Sequence, residues 1–257
     1  QEHGFKANDT LTCIGIGDMS GDVFGNGLIE SKTLKLHAAF NHIHIFIDPN
    51  PDPEASWKER SRLFKKSRST WQDYKGLSKG GGVFDRAAKS IKLSKEIKTL
   101  LGIDASSLSG PDLIKAILAL QVDFIWFGGI GTYIKAESES HLEIGDQNND
   151  SVRVDTKDIK AAIIAEGANS GLSMPARIQL SNKGVRLNTD AIDNSAGVSM
   201  SDYEVNLKIF AKGLIEKKKL KSQKERDSLL FRIDKEVTQL VLNTNQEQHR
   251  LISLEQL

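Results

Sequence analysis

The chain has 257 residues, of which 39% are hydrophobic and 27% are charged, and its formal net charge is +1. These values are typical of a globular protein with one large or two small domains, and a charge so close to zero excludes a general electrostatic attraction to nucleic acid. No apolar run approaches the ~18 residues of a membrane span, so we expect neither a nucleic-acid nor a membrane partner. The single cysteine, Cys13, excludes an internal disulfide and favours a cytoplasmic location.

Residues 10–27 carry the most informative motif, T-L-T-C-I-G-I-G-D-M-S-G-D-V-F-G-N-G. An apolar run is broken by Gly15 and Gly17 and then resumes at helical spacing, which predicts a strand, a tight turn and a helix start. Such glycines allow close approach to a ligand, and the N-terminus of the following helix favours a pyrophosphate. The pattern departs from G-x-G-x-x-G because Ser20 replaces the third glycine. We expect the pyrophosphate to be surrounded by Gly15, Gly17, Asp18, Met19 and Ser20.

After a predicted helix at 21–31, apolar runs predict a second strand at 34–40 and its continuation or a third strand at 44–48. Dinucleotide-binding folds place an acidic residue about 20 positions beyond the glycines, at the end of the second strand, where it binds the adenosine ribose. Asn41 stands at that place; its amide can bond a hydroxyl but lacks the charge that rejects a 2′-phosphate. Asp48 is the competing candidate, and position along the chain favours Asn41.

The rest of the chain alternates between apolar runs and helical patterns. The predicted elements are helices at 94–101 and from 109, strands at 122–129 and 161–169, a helix at 175–182, an apolar run at 185–190, and long helices from about 199 and at 222–242. Two stretches, 49–93 and 136–158, are predicted insertions. The alternation predicts an α/β fold with a doubly wound, Rossmann-like, mostly parallel sheet, helices on both faces, and C-terminal helices. We assign a Rossmann-like domain to 1–220 and a C-terminal helical segment to 221–257.

Clusters of Gly, Asn, Asp and Ser lie where predicted strands end. Turn chemistry explains any one of them, since these residues begin and end elements everywhere. Because the carboxyl ends of parallel strands share one edge of a sheet, the clusters together predict a single binding site. They are 15–20, Asn41, 128–132, 166–169 and 193–195.

Two other groupings have simpler explanations. His42 and His44 share a face of a predicted strand, but nothing nearby supplies the further ligands of a zinc site, so we expect no bound metal. The lysines at 217–219 lack interleaved aromatic residues and are typical of a solvated helix end.

Five long motifs follow one another in the order G-I-G-D-M-S-G-D-V-F-G-N-G, A-A-F-N-H-I-H-I-F-I-D-P-N-P-D, S-K-G-G-G-V-F, G-G-I-G-T-Y-I-K and T-D-A-I-D-N-S-A-G-V. Together they resemble the large, NAD-specific bacterial glutamate dehydrogenases over residues 10–220. The resemblance implies reversible oxidative deamination of L-glutamate to 2-oxoglutarate and ammonia, with NAD+ as the hydride acceptor. We expect the parent enzyme to be a homo-oligomer.

The family's catalytic lysine and aspartate belong to a substrate domain upstream of the cofactor domain, and nothing in this chain matches that domain. The chain also begins at Gln1 rather than Met. We therefore expect an excised cofactor domain that carries no catalytic residue and is inactive alone.

A more distant similarity to the small glutamate dehydrogenases implies roles for single residues. The stretch I-I-A-E-G-A-N matches their E-G-A-N turn, which implies that Asn169 lies beside the cofactor. D-N-S-A-G-V-S-M-S-D-Y-E is similar to their A-N-A-G-G-V-T-V-S-Y-F-E, which implies that Asn194 lies near the nicotinamide amide and Ser201 near the substrate carboxylate. G-G-I-G-T matches their A-A-I-E-N, which implies that Gly129 and Thr132 border the cofactor, with Thr132 in place of the family's Asn.

A second hypothesis stays open at this point. The departures at Ser20 and Asn41 also suit a non-catalytic nucleotide-sensing or assembly module of a large protein. A phosphoryl-transfer enzyme is disfavoured, because the sequence contains no G-x-x-x-x-G-K-[ST].

Overall fold

A computed structural model describes residues 6, 8–17 and 26–255 of the chain. The chain divides into two compact units, 1–190 and 191–257. The boundary proposed from the sequence, at 220/221, falls within the second unit, between two long helices that pack against each other.

The first unit is built from short strands and helices in alternation. Its described strands are β1 (Leu11–Ile16), β2 (Leu34–Phe40), β3 (His44–Ile47), β4 (Gly82–Asp85), β5 (Ile91–Lys92), β6 (Ser107–Leu108), β7 (Phe124–Phe127), β8 (Ile134–Lys135), β9 (Val154–Asp155) and β10 (Ile163–Glu166). Its described helices are α1 (Asn26–Ile29), α2 (Pro53–Lys65), α3 (Lys95–Leu101), α4 (Gly110–Leu118), α5 (His141–Ile144) and α6 (Met174–Asn182). As expected from its sequence, Ser109 caps α4, accepting a hydrogen bond from the backbone N–H of Asp112 at 3.2 Å.

The central sheet of the described residues has six strands in the order β10-β7-β1-β2-β3-β4. The pairs from β10 to β2 are parallel, whereas β3 runs antiparallel to both β2 and β4. The structure thus confirms the predicted α/β class and the mostly parallel sheet. The run at 44–48 is a third strand, and the predicted insertion 49–93 contributes β4 to the edge of the sheet.

Different helices cover the two faces of the sheet, as predicted. Ile14 and Ile16 pack on one face, in the larger apolar cluster, with buried residues of α3, α4 and α6. Cys13 packs on the other face with buried residues of α1 and α2. Since successive side chains of a strand point to opposite faces, β1 contributes to both cores.

One predicted element of this unit differs in the structure. The apolar run at 185–190 was expected to alternate like a strand, but among the described residues it makes one isolated bridge, between Arg186 and Ile163 of β10. The chain at 186 therefore lies beside the sheet edge without extending it.

The second unit is a pair of long helices, α8 (Ser195–Glu216) and α9 (Gln223–Glu255), preceded by a short helix, α7 (Asp190–Asp193), that starts at the last residue of the first unit. Both long helices were predicted, although α8 starts earlier than residue 199 and α9 continues well beyond residue 242. No helix within the described residues is both long enough and apolar enough to cross a membrane.

Candidate functional site

The described parts of four predicted strand-end clusters lie at one edge of the central sheet. The parallel strands β10, β7, β1 and β2 are neighbours, and the chain leaves each of them at the same edge. There the backbone N–H groups of Gly17, Gly128 and Gly167 donate to the last carbonyl of the adjacent strand, at 2.7–2.8 Å. The first residues of the loops after β1, β7 and β10 are therefore held in a row, and Asn41 directly follows β2.

This edge also contains the point at which the strand order reverses. From β1 the chain passes through α1, on one face, to β2; later it passes through α4, on the other face, to β7 on the opposite side of β1. Ligands of doubly wound sheets bind in the crevice that such a reversal leaves at the carboxyl ends of the strands. The crevice here lies beyond β1 and β7.

Glycines bring the backbone close together around this crevice. A Cβ at Gly15 would lie 3.1 Å from Cδ1 of Leu28, so the missing side chain lets α1 pack tightly on β1. A Cβ at Gly27 or at Gly167 would lie 2.5 Å from Cζ2 of Trp126. The indole of Trp126 thus lies between α1 and the loop after β10, a contact that nothing in the local sequence pattern predicts.

The predicted pyrophosphate turn is described only at its start. Asp18, Met19 and Ser20 lie outside the described residues, and so do residues 21–25 of the predicted opening helix. Gly15 lies within β1, and Gly17, the last described residue before the turn, donates its N–H to the carbonyl of Phe40 at 2.8 Å.

The predicted insertion 136–158 forms hydrogen bonds with the loop after β7. Thr132 receives a hydrogen bond at its carbonyl from Nε of Arg153 (2.8 Å) and donates its N–H to Oδ2 of Asp146 (2.9 Å). Gly131 has φ +135°, and a Cβ there would lie 2.6 Å from Nδ2 of Asn149. Gly129, in the same loop, is buried. The insertion is therefore a support for the predicted cofactor loop.

Arg153 is the central residue of that support. Its side chain is fully buried, and it donates to the carbonyl of Asp146 at 2.6 Å and to Oδ1 of Asp150 at 2.5 Å. Its Nη1 also contacts Nδ1 of His141 at 2.8 Å. Because a buried guanidinium is stable only with its donors satisfied, this arrangement fixes the loop rigidly.

The loop after β10 is anchored by Glu166, which is fully buried. Its Oε1 accepts the N–H of Gly171 at 2.7 Å, and its Oε2 pairs with Nη1 of Arg177, which also donates to the carbonyl of Asn188 at 3.0 Å. Burial raises the pKa of Glu166, while Arg177 and the Gly171 N–H act in the opposite direction. Glu166 therefore shapes the turn, which leaves Asn169 exposed at the edge.

Asn41 closes the turn between β2 and β3. Its side chain is buried, and Oδ1 accepts the N–H groups of Ile43 (2.9 Å) and His44 (2.7 Å). Asp48 lies at the far end of the antiparallel β3, where its N–H donates to the carbonyl of His37, about 10 Å from the edge at about 3.4 Å per residue. This placement favours Asn41 over Asp48 as the ribose contact, a role that remains a prediction.

The fifth cluster, 193–195, and Ser201 belong to the second unit. Ser201 is exposed on α8. At the start of α8, Oγ of Ser195 donates to Oε1 of Gln248 at 2.8 Å and accepts from Nδ2 of Asn245 at 2.8 Å. The turn that contains Asn194 is thus fixed to α9.

A family model described as bacterial NAD-glutamate dehydrogenase, catalytic domain, matches residues 2–255. The chain belongs to the bacterial NAD-glutamate dehydrogenase family. The NAD-specific glutamate dehydrogenase of Mycobacterium tuberculosis is 50% identical over 250 residues, which are 94% of this chain and 15% of that protein. The NAD-specific glutamate dehydrogenase of Pseudomonas aeruginosa is 47% identical over 250 residues, 96% of this chain and 15% of that protein. The resemblance found in the sequence is confirmed, and the chain spans about 15% of the length of these relatives.

Solved structures of glutamate dehydrogenases are also similar to this member of the family. The hetero-hexameric glutamate dehydrogenase from Thermus thermophilus matches 97% of this chain and 49% of its own with a TM-score of 0.44 and 13% identity. The enzyme from Plasmodium falciparum matches 93% and 46% with a TM-score of 0.45 and 10% identity. The α/β fold of this chain follows from its own strand order.

Proposed function

We propose that the first unit of this chain binds NAD+ at the carboxyl edge of its sheet, as the cofactor domain of a glutamate dehydrogenase. The whole enzyme catalyses reversible oxidative deamination of L-glutamate to 2-oxoglutarate and ammonia. The observation that carries the proposal is that β10, β7, β1 and β2 end at one edge of the sheet, at the point where the strand order reverses.

The described residues at this edge suit a dinucleotide. The pyrophosphate is proposed to lie against the backbone at Gly15 and Gly17, with Asp18, Met19 and Ser20 completing the turn. Asn41 is the proposed contact for a ribose, and Gly129, Thr132 and Asn169 are the proposed contacts for the rest of the cofactor. NAD+, when bound, accepts the hydride that leaves the substrate carbon. The residues of this chain bind and orient the cofactor for that step.

Two further roles are proposed for residues of the second unit. Asn194 would bind the nicotinamide amide and Ser201 the substrate carboxylate, a proposal supported by their match to the small enzymes' motif. The catalytic residues would lie elsewhere in the longer enzyme. Replacing Asn194 with Ala in the full-length enzyme tests this, because loss of hydride transfer is expected. Unchanged turnover would instead favour a nucleotide-sensing or assembly module, an alternative that the relatives' names do not favour.

Two broader features belong to the same proposal. A cytoplasmic location is supported by the single cysteine, Cys13, which is buried and forms no disulfide. A homo-oligomeric parent enzyme is supported by apolar side chains on α8, such as Val198 and Ile209, which are 71% and 65% exposed and suited to burial against another surface. The mass of the full-length enzyme in solution tests the oligomer.

The direct test is calorimetric titration of the 257-residue chain with NAD+ and, separately, with NADP+. We expect NAD+ to bind and NADP+ to bind much more weakly, in keeping with the NAD-specific relatives. Asn169→Ala should weaken NAD+ binding about 3- to 10-fold, the value of one hydrogen bond. Asn182→Ala, at the exposed C-terminal end of α6, is the matched control and should leave the affinity unchanged. Failure of both nucleotides to bind would contradict the proposal for this chain.

A further inference from the structure

Arg86 directly follows β4 and lies at the same edge of the sheet as the candidate site. Because β4 and β2 are both antiparallel to β3, their carboxyl ends lie together. The backbone N–H of Arg86 donates to the carbonyl of Ile43 at 2.8 Å, which fixes the residue beside the turn that Asn41 closes.

The guanidinium of Arg86 reaches toward two different loops. Nη1 donates to the carbonyl of Asn41 at 2.8 Å, and Nη2 donates to Oδ1 of Asn149 at 3.2 Å. The group also lies over the ring of Phe40, 5.9 Å from its centroid. Burial raises the pKa of Tyr133, and Arg86 opposes that shift by its charge and by a hydrogen bond to the hydroxyl. The planar guanidinium of Arg86 thus contacts Asn41, Asn149, Phe40 and Tyr133 at the same time.

A chain of hydrogen bonds continues from Asn149 to the loop after β7. Nδ2 of Asn149 donates to Oδ2 of Asp146 at 2.8 Å, and the same oxygen accepts the N–H of Thr132 at 2.9 Å. Arg86 therefore stands between Asn41 and Thr132, two residues that the sequence assigns to the cofactor but that are far apart along the chain.

We propose that Arg86 is a positioning residue of the nucleotide site, which holds the loops after β2 and β7 in one fixed arrangement before the ligand arrives. The inference rests on the proposed function and deepens it. Arg86 acts through Asn41 and Thr132, and its effect on affinity comes from preorganisation: loops already in the bound geometry lose less entropy on binding.

The competing role for Arg86 is a direct charge contact with a phosphate of the nucleotide. Arg86→Lys separates the two roles. Lysine keeps the charge but lacks the planar fork that reaches Asn41 and Asn149 together. A positioning role requires that Arg86→Lys resembles Arg86→Met, whereas a charge contact requires that Arg86→Lys resembles the wild type.

The experiment is calorimetric titration of the 257-residue chain with NAD+, at a temperature at which every variant is folded. We expect Arg86→Met and Arg86→Lys each to raise the Kd about 10-fold through lost preorganisation. Asn149→Ala, which breaks the same link at its other side, should raise the Kd similarly, and combining it with Arg86→Lys should add little more. Arg62→Met is the matched control: it removes a guanidinium that bonds Glu59 and the carbonyl of Asp73, away from the edge, and should leave the Kd unchanged.

A second measurement needs no ligand. The backbone N–H groups of Ile43 and His44 donate hydrogen bonds to the side chain of Asn41, and that of Thr132 donates to the side chain of Asp146. The hydrogen-exchange rates of these amides therefore measure how firmly both loops are held. Arg86→Lys should accelerate exchange at all three amides, and Arg62→Met at none.

The possible results separate the two proposals. If the wild type does not bind NAD+, the proposed function fails and the exchange data alone decide the role of Arg86. If NAD+ binds, a near-normal Kd for Arg86→Lys overturns the positioning role, and so does accelerated exchange confined to one of the two loops. Should Arg86→Met fail to fold, Arg86→Lys and Asn149→Ala suffice for the same decision.

Discussion

Replacing Arg177 with Met tests how the turn after β10 is held. Arg177 pairs with the fully buried Glu166 and donates to the carbonyl of Asn188 at 3.0 Å, and its side chain is 7% exposed. Methionine is close to arginine in length and leaves the carboxylate of Glu166 with the N–H of Gly171 as a neutral partner. The substitution therefore removes a charge from a buried pair with little change in volume.

The expected loss in the free energy of unfolding is about 3–5 kcal/mol, which is typical when one partner of a buried ion pair is removed. Most of this loss is the cost of a buried carboxylate that has lost its guanidinium partner. Adding Glu166→Gln to Arg177→Met should therefore recover most of it, since a neutral amide can still accept from Gly171. The exposed pair of Arg62 with Glu59 is the control, and Arg62→Met should cost no more than about 1 kcal/mol.

Urea denaturation of the four proteins, the wild type, the two single arginine variants and the double variant, measures these differences. The reasoning also requires that NAD+ affinity falls in Arg177→Met, because the turn carries Asn169. A loss for Arg177→Met as small as that for Arg62→Met would refute the argument, as would a double variant no more stable than Arg177→Met.

Three further predictions follow from the same unit. Gly167→Ala should lower the free energy of unfolding by about 1–3 kcal/mol, because its Cβ would lie 2.5 Å from Cζ2 of Trp126. Adding Trp126→Phe should relieve part of this loss in urea denaturation, whereas additive losses for the two substitutions would count against the contact. Burial raises the pKa of Cys13 to about 12, so iodoacetamide at pH 8 should modify it only after unfolding, and rapid native labelling would contradict this burial. Burial lowers the pKa of His37 and His44 below 6.5, so the unfolded state binds more protons than the folded state. The free energy of unfolding should therefore fall as the pH drops from 6.5 toward the folded pKa values. His37→Gln should make this dependence on pH less steep in unfolding experiments, and an unchanged slope would argue against the reasoning.

The edge of the sheet was predictable because its residues carry local signals. Glycine, asparagine and serine at strand ends mark turns, and the parallel alternation of elements brings those ends together. Arg153 was missed because its burial depends on packing that hydropathy does not reveal. Trp126 and Arg86 were missed because their partners are distant in the chain: Arg86 and Asn41 are 45 residues apart, and Arg86 and Asn149 are 63 apart. No local pattern encodes a contact of that length.

The sequence by itself determined the family, the α/β class and most of the helices and strands, because apolar periodicity, capping residues and glycine turns act over a few neighbouring residues. Only the tertiary structure decided that β3 runs antiparallel, which carries Asp48 away from the edge and brings Arg86 to it. It also decided that the polar stretch 136–158 supports the loop after β7, since Arg153 is buried by packing that hydropathy does not reveal. Strand direction and buried polar networks depend on long-range packing, and therefore neither can be predicted from local sequence patterns.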